Sequence, residues 1–255
     1  MNHGIKHYSI GQASLFVLVT LVTGTGIGLS VSLVASLFVA GLHLLTDHRQ
    51  SMVMNLPILQ FAGGSLVPML WLIAAAFLLW GVRSLFGIKR WHGPADSIFG
   101  AHRLDNEIDV KAGIGSTIAA FIAMGGGASV GQYGPLVHFG ATMGSHIRQV
   151  FSNKMIGTDV FIGCGVAAAI AAGFHAPIAG IVFAHEAVLR HFSFRALAPI
   201  AISSITSVWF ATAIFGGDPL FTLDAAATDL LQMVPILLAS GLLFGVIAML
   251  FMLAL

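Results

Sequence analysis

Charged residues divide the chain into long uncharged intervals, at 7–46, 50–82, 112–147, 160–185, 196–217 and 230–255. A helix needs about 20 mostly apolar residues to cross a hydrocarbon core about 30 Å thick. Each interval therefore predicts at least one transmembrane segment. Several exceed a single span and are interrupted by Gly125-Gly126-Gly127, Gly134-Pro135 and Ala176-Pro177. These interruptions predict broken or re-entrant helices. Non-helical backbone at membrane depth is tolerated only where protein or a wet cavity satisfies its polar groups, so a functional site is expected beside them. Lys6 is the only firm charge in the first nine residues. The apolar stretch after it is too long for a signal-peptide core of about 7 to 15 residues, which predicts a retained first span.

Composition extends this reading to the whole chain. Apolar residues make up 57% and charged residues 8%, whereas soluble domains carry roughly 25% charge. A water-soluble fold, or a separate soluble domain, is excluded. A formal net charge of +1 argues against nucleic acid as a partner, because such surfaces need clustered Lys and Arg. Cys164 is the single cysteine and cannot form an intrachain disulfide. The densest basic group, Arg83, Lys89, Arg90, Arg103 and Lys111, predicts a cytoplasmic loop. With two spans before it, the amino terminus is expected to be cytoplasmic too, and residues 47–64 to face outside. Asp105, Glu107 and Asp109 read as a solvated loop surface.

The most informative stretch, residues 125–147, reads GGGASVGQYGPLVHFGATMGSHI. Proline is well suited to a first helical turn, where its missing N–H would have been unpaired. The amides of Gln132, Tyr133 and Gly134 then point past a helix N-terminus. Within a membrane they form a desolvated cluster of partial positive charge that suits a small anion. No Lys or Arg lies in the turn, consistent with binding weak enough to allow exit. From spacing alone, an anion site and a simple packing turn both remain open.

Gly131-Gln132-Tyr133-Gly134-Pro135, followed by Gly140-Ala141, resembles the G-[KR]-E-G-P signature of the CLC family of chloride channels and chloride/proton exchangers. Residues 165–187, GVAAAIAAGFHAPIAGIVFAHEA, resemble the family's alanine-rich helix, its F-N-A-P-[LI]-[AG]-G stretch and the helix after it. Both motifs occur in the family's order and spacing. The resemblance covers roughly residues 15–255. It implies an all-α multi-pass membrane protein, a CLC-type bundle of tilted and re-entrant helices. One domain is expected over residues 1–255, the first inverted repeat at about 13–226 and the start of the second at 227–255. The family's second pore turn would lie in that second half, so the chain is expected to be a fragment.

Residue by residue, the resemblance places the anion pathway at Gly131, Gln132, Tyr133, Gly134 and Pro135. Tyr133 stands at the place of the gating glutamate. Ala187 stands at the inner proton-linked glutamate, one residue after Glu186. With both carboxylates replaced, passive chloride movement in a cell membrane is implied, with chloride as the transported ion and no cofactor. The serine facing the central anion aligns with Gly93 in the segment HGPADSIFGAH, residues 92–102, and Ser97 is the nearest hydroxyl. Asp96 would repel an anion unless it faces away or pairs with a base such as Arg90. The family's two-fold dimer implies a homodimer formed by apolar faces after Gly180 and Phe194.

Two alternatives accompany the transport reading: a non-transporting membrane scaffold, and an intramembrane enzyme using His175, His185, Glu186 and His191. The histidine spacing lacks the two-His, four-apart pattern of a zincin. Interhelical hydrogen bonding or a polar helix end is the plainer role for these histidines and for His138, with a place facing the pathway as the alternative for His138, whereas Glu186 is expected to be a buried histidine partner or to link to Arg190. Gly140-x-x-x-Gly144 and Gly173-x-x-x-Pro177 predict close helix approach. Gly24-Gly26 and Gly113-Gly115 are likewise assigned to packing.

Overall fold

The computed structural model describes residues 10–55, 60–61, 64–103, 108–151, 156–216 and 230–254. These fall into two compact units, one within residues 1–218 and the other within 219–255. The first unit contains α1 (Ile10–Asn55), α2 (Val67–Phe86), α3 (Pro94–His102), α4 (Val110–Gly125), α5 (Tyr133–Val150), α6 (Thr158–Phe174), α7 (Pro177–Phe183) and α8 (Phe194–Phe215). The second contains α9 (Leu230–Ala254), a 25-residue apolar helix with Pro235 inside it. A two-residue antiparallel ladder pairs Gln60 with Ser65 and Phe61 with Gly64.

Among the described residues, four helices are long and apolar enough to cross a membrane: residues 14–55 of α1, then α2, α8 and residues 233–254 of α9. The long uncharged intervals break where Gly and Pro predicted. Interval 112–147 divides into α4 and α5 around Gly126 and Gly127, the latter at φ +104°. Interval 160–185 divides at His175, which ends α6 at φ +52°. Histidine is among the side chains enriched in this left-handed region, so it can take a place where the family stretch has asparagine.

The first interval behaves differently. Its helix does not stop at the charges but continues through Asp47 and Arg49 to Asn55, giving 46 residues and a length of roughly 69 Å. Arg49 donates to the carbonyl of Gly125 at 3.2 Å, placing a cation against the carbonyl end of α4, where the helix dipole favours it. Residues 56–59 and 62–63 of the segment expected outside lie beyond the described residues.

Burial identifies the core. In α1, Ile27, Val31, Ala35, Phe38 and Leu42 are buried at intervals of three and four, which makes one apolar stripe. In α6, every residue from Phe161 to Ala172 is buried, so this helix is the centre of the unit. By contrast α2 exposes Met69, Leu70, Ile73, Phe77 and Trp80, as expected of a face toward lipid.

Small residues permit the closest approaches. A Cβ added at Gly140 would collide with the Gly165 carbonyl, and one at Gly144 with that of Phe161. The predicted small-residue spacing therefore packs α5 on α6. Gly113 abuts Thr142, and Gly24 meets the carbonyl of Pro199, while Gly26 has open space. Three serines of α8 add cross-helix hydrogen bonds: Ser203 to the Cys164 carbonyl at 3.0 Å, Ser204 to that of Pro177 at 2.8 Å, and Ser207 to that of Ala168 at 2.7 Å. Such bonds average about 0.6 kcal/mol each between membrane helices.

Candidate functional site

The first turns of α3 and α5 meet. A Cβ built on Gly134 would stand 3.4 Å from Cγ of Pro94. Each helix opens with a proline among its first three residues, where the ring conflicts with no intrahelical hydrogen bond. Their electrostatic surroundings differ. At the start of α3, the Asp96 carboxylate accepts the Gly93 N–H at 2.8 Å and pairs with the Arg90 guanidinium. Asp96 therefore has the basic partner that the sequence required, and Gly93 has its N–H occupied. At α4 the N-cap side chain itself serves, Asp109 accepting from the Ala112 N–H at 3.1 Å.

The start of α5 has no side-chain cap. Gln132 is its N-cap, Tyr133 and Gly134 are its first two residues, and all three are half-buried. Pro135 has no N–H to satisfy. The initial amides of a helix have no intrahelical acceptors, so this end presents partial positive charge to its surroundings. Gly131 is exposed just before it.

Tyr133 is pinned to the end of α6. Its hydroxyl donates to the Gly173 carbonyl at 3.3 Å, and its ring stacks on Phe174 with centroids 3.7 Å apart. The close approach requires glycine at 173, because an added Cβ would lie 2.8 Å from Cε1 of Tyr133. Gly173 thus receives a side chain where the spacing pattern suggested a helix contact.

Three polar residues pack between α3 and α5. His138 is fully buried on α5, and its Nδ1 lies 2.8 Å from Oγ of Ser97, also fully buried, on α3. His92 meets the His138 ring edge-on at 5.8 Å, and its backbone N–H donates to the Ser116 hydroxyl at 2.9 Å. Ser97 and His138 were visible in the sequence as separate polar residues; their pairing was not. His92 was missed, although its place beside Gly93 was a usable signal.

Ala187 lies elsewhere, in a widened i→i+5 turn over Ala184–Leu189, where it packs against a cluster containing Val137, Ile162 and Val188. Glu186 is exposed on the same turn. This corrects the expectation of a buried histidine partner, and among the described residues Glu186 has no ion pair with Arg190. An i→i+5 turn shifts side chains relative to an α-helical register, which turns Glu186 outward between buried His185 and half-buried Ala187.

The histidines considered for metal serve as local hydrogen-bonding and packing groups. His185 Nδ1 lies 3.3 Å from the His191 carbonyl and its ring stacks on Phe192 at 4.5 Å; His191 bonds the Leu189 carbonyl at 2.9 Å. His175, at the other end of α7, is 3.5 Å from Thr212. Among the described residues, no group of three His, Cys, Asp or Glu side chains could hold a metal ion.

Comparison with known proteins agrees with this architecture. The family model described as "Voltage gated chloride channel" matches residues 75–255. The chain is 28% identical over 181 residues to a protein of Citrobacter koseri named "Voltage-gated ClC-type chloride channel ClcB", covering 71% of this chain and 43% of that one. It is 27% identical over 182 residues to the Salmonella typhi protein of the same name, covering 69% and 43%. The chain thus spans less than half the length of these curated relatives. Among solved structures, a slow cyanobacterial Cl−/H+ antiporter superposes with a TM-score of 0.64 at 21% identity, over 89% of this chain and 54% of that one. A CLC-type fluoride/proton antiporter superposes with a TM-score of 0.56 at 24% identity, over 94% and 57%. These two share the fold of broken membrane helices, and with the family match over residues 75–255 the chain belongs to the voltage gated chloride channel family.

Proposed function

We propose that this chain forms part of a transmembrane pathway for chloride or a similar small anion, with the anion held at residues 131–135 and Gly93 lining the opposite wall. The observation that carries this reading is the uncapped start of α5, half-buried beside an α3 start that is already neutralised by Asp96. In a medium with little water, free amides favour an anion. The absence of Lys and Arg from the turn keeps that attraction moderate, as conduction requires. The names of the relatives are consistent with anion transport.

Movement is passive in this proposal. Neither Tyr133 nor Ala187 supplies a carboxylate, and the phenol is held by Gly173 and Phe174. Reconstituted full-length protein should release chloride from liposomes at a rate indifferent to an imposed proton gradient. A gradient that drives chloride uphill would rule out the passive reading. No release from well-folded protein would rule out transport and favour the scaffold.

The lipid bilayer is the surrounding medium, with the Arg83–Lys111 stretch on the cytoplasmic side. A second copy is proposed against the apolar groove lined by Pro177, Ile205, Val208 and Trp209, of which Ile205 and Trp209 are exposed. Single-molecule photobleaching of labelled protein in dilute liposomes should give two steps. One step throughout would exclude the homodimer.

A further inference from the structure

We propose that the His138 imidazole is an additional anion ligand, donating its Nε2–H to the ion at the start of α5 while the Ser97 hydroxyl holds the ring's tautomer. This inference rests on the pathway reading above. His138 is fully buried, and among the described residues its Nε2 has no hydrogen-bond partner. A buried polar nitrogen left unpaired costs about 1–3 kcal/mol, so the position calls for a ligand.

Its location indicates which ligand. His138 lies four residues after Gly134 and therefore on the same face of α5, the face that meets Pro94. Its ring meets Ser97 on the first turn of α3 and His92 of the preceding segment. The nearby charges, Arg90 and Asp96, are already paired with each other. A neutral imidazole carries one N–H, and its position is set by the bond at the other nitrogen. If the Ser97 hydroxyl donates to Nδ1, the proton resides on Nε2. The result is a neutral donor beside the uncapped amides, and a neutral donor strengthens anion binding without adding a full charge that would trap the ion. The site then holds two kinds of ligand: backbone amides from α5 and one side-chain N–H placed by α3.

The test uses full-length protein labelled with ¹⁵N-histidine in nanodiscs, titrated with chloride against gluconate, with His138→Gln to assign the resonance. The expected result is a protonated Nε2 whose resonance moves saturably with chloride. His138→Leu should weaken apparent chloride affinity in efflux assays by about tenfold, the scale of a hydrogen bond to a charged group. His138→Gln retains an N–H donor and should keep most of the affinity, and Ser97→Ala should lower it several-fold. If chloride efflux persists while Nε2 carries no proton or ignores chloride, the His138 assignment is overturned and the pathway reading stands. If neither efflux nor any chloride response is found, both are overturned.

Discussion

Gly165→Leu is expected to prevent assembly of the helical unit. A Cβ at this position would collide with the Gly140 carbonyl, and the reciprocal contact is also a clash. Both obstacles are backbone, so no rotamer change relieves them; α5 and α6 must separate. Overpacking of a tight core usually costs about 1–3 kcal/mol and occasionally more, and a backbone clash at the central buried helix belongs at or above about 3 kcal/mol. The separation would also open the Tyr133–Gly173 contact. The expected outcome is loss of the monodisperse peak on size exclusion in mild detergent and a lower midpoint in SDS unfolding. Gly81→Leu is the matched control, because a Cβ there meets nothing within 4 Å and leucine is the better helix former. If Gly165→Leu were as stable as Gly81→Leu, the α5–α6 contact would be wrong.

Tyr133→Glu is expected to close the proposed pathway at neutral pH and reopen it in acid. The substitution puts a carboxylate at the first residue of α5, within reach of amides that no side chain caps. An anionic side chain at a partly buried helix N-terminus gains up to about 2 kcal/mol. An anion competing for the same amides would lose that amount, equivalent to about 30-fold in occupancy. The sign with pH follows from charge. Glutamate ordinarily titrates near pH 4.3 and the amides favour its ionised form, so block persists at neutral pH and is relieved only near or below that value. Chloride efflux from liposomes should therefore be low at about pH 7 and rise toward about pH 4. Tyr133→Gln, neutral and similar in length to glutamate, should conduct at both. Equal flux in the glutamate and glutamine variants at neutral pH would place the anion somewhere other than the start of α5.

Legibility differed between backbone and side-chain features. The break at Gly125–Gly127, the helix start at Gly134-Pro135 and the turn before Pro177 were visible because Gly and Pro act through local backbone geometry. Gly140 and Gly144 were similarly legible, since four-residue spacing places both on one face of α5 before the identity of its neighbour is known. The end of α1 was not: the uncharged interval stops at residue 46, whereas the helix runs on to Asn55 because a helix end tolerates charges that meet a partner, as Arg49 does at Gly125. Glu186 was misjudged for a related reason. Its facing depends on the register of a widened turn, and one additional residue per turn redirects the side chains.

The chain's own pattern of apolar runs, sparse charge and Gly-Pro interruptions determined a membrane protein of broken helices, because the thickness of the bilayer and the allowed backbone angles act on sequence directly. The caps at α3 and α4 are local, since Asp96 and Asp109 each meet an N–H three residues away. Tertiary structure decided what surrounds the uncapped start of α5: Ser97 of α3 meets His138 of α5, and Tyr133 meets Gly173 of α6. Those contacts depend on distances of a few ångströms between residues 40 and 41 positions apart. A linear pattern cannot specify them, because hydrogen bonding and close packing depend on direction and distance in space.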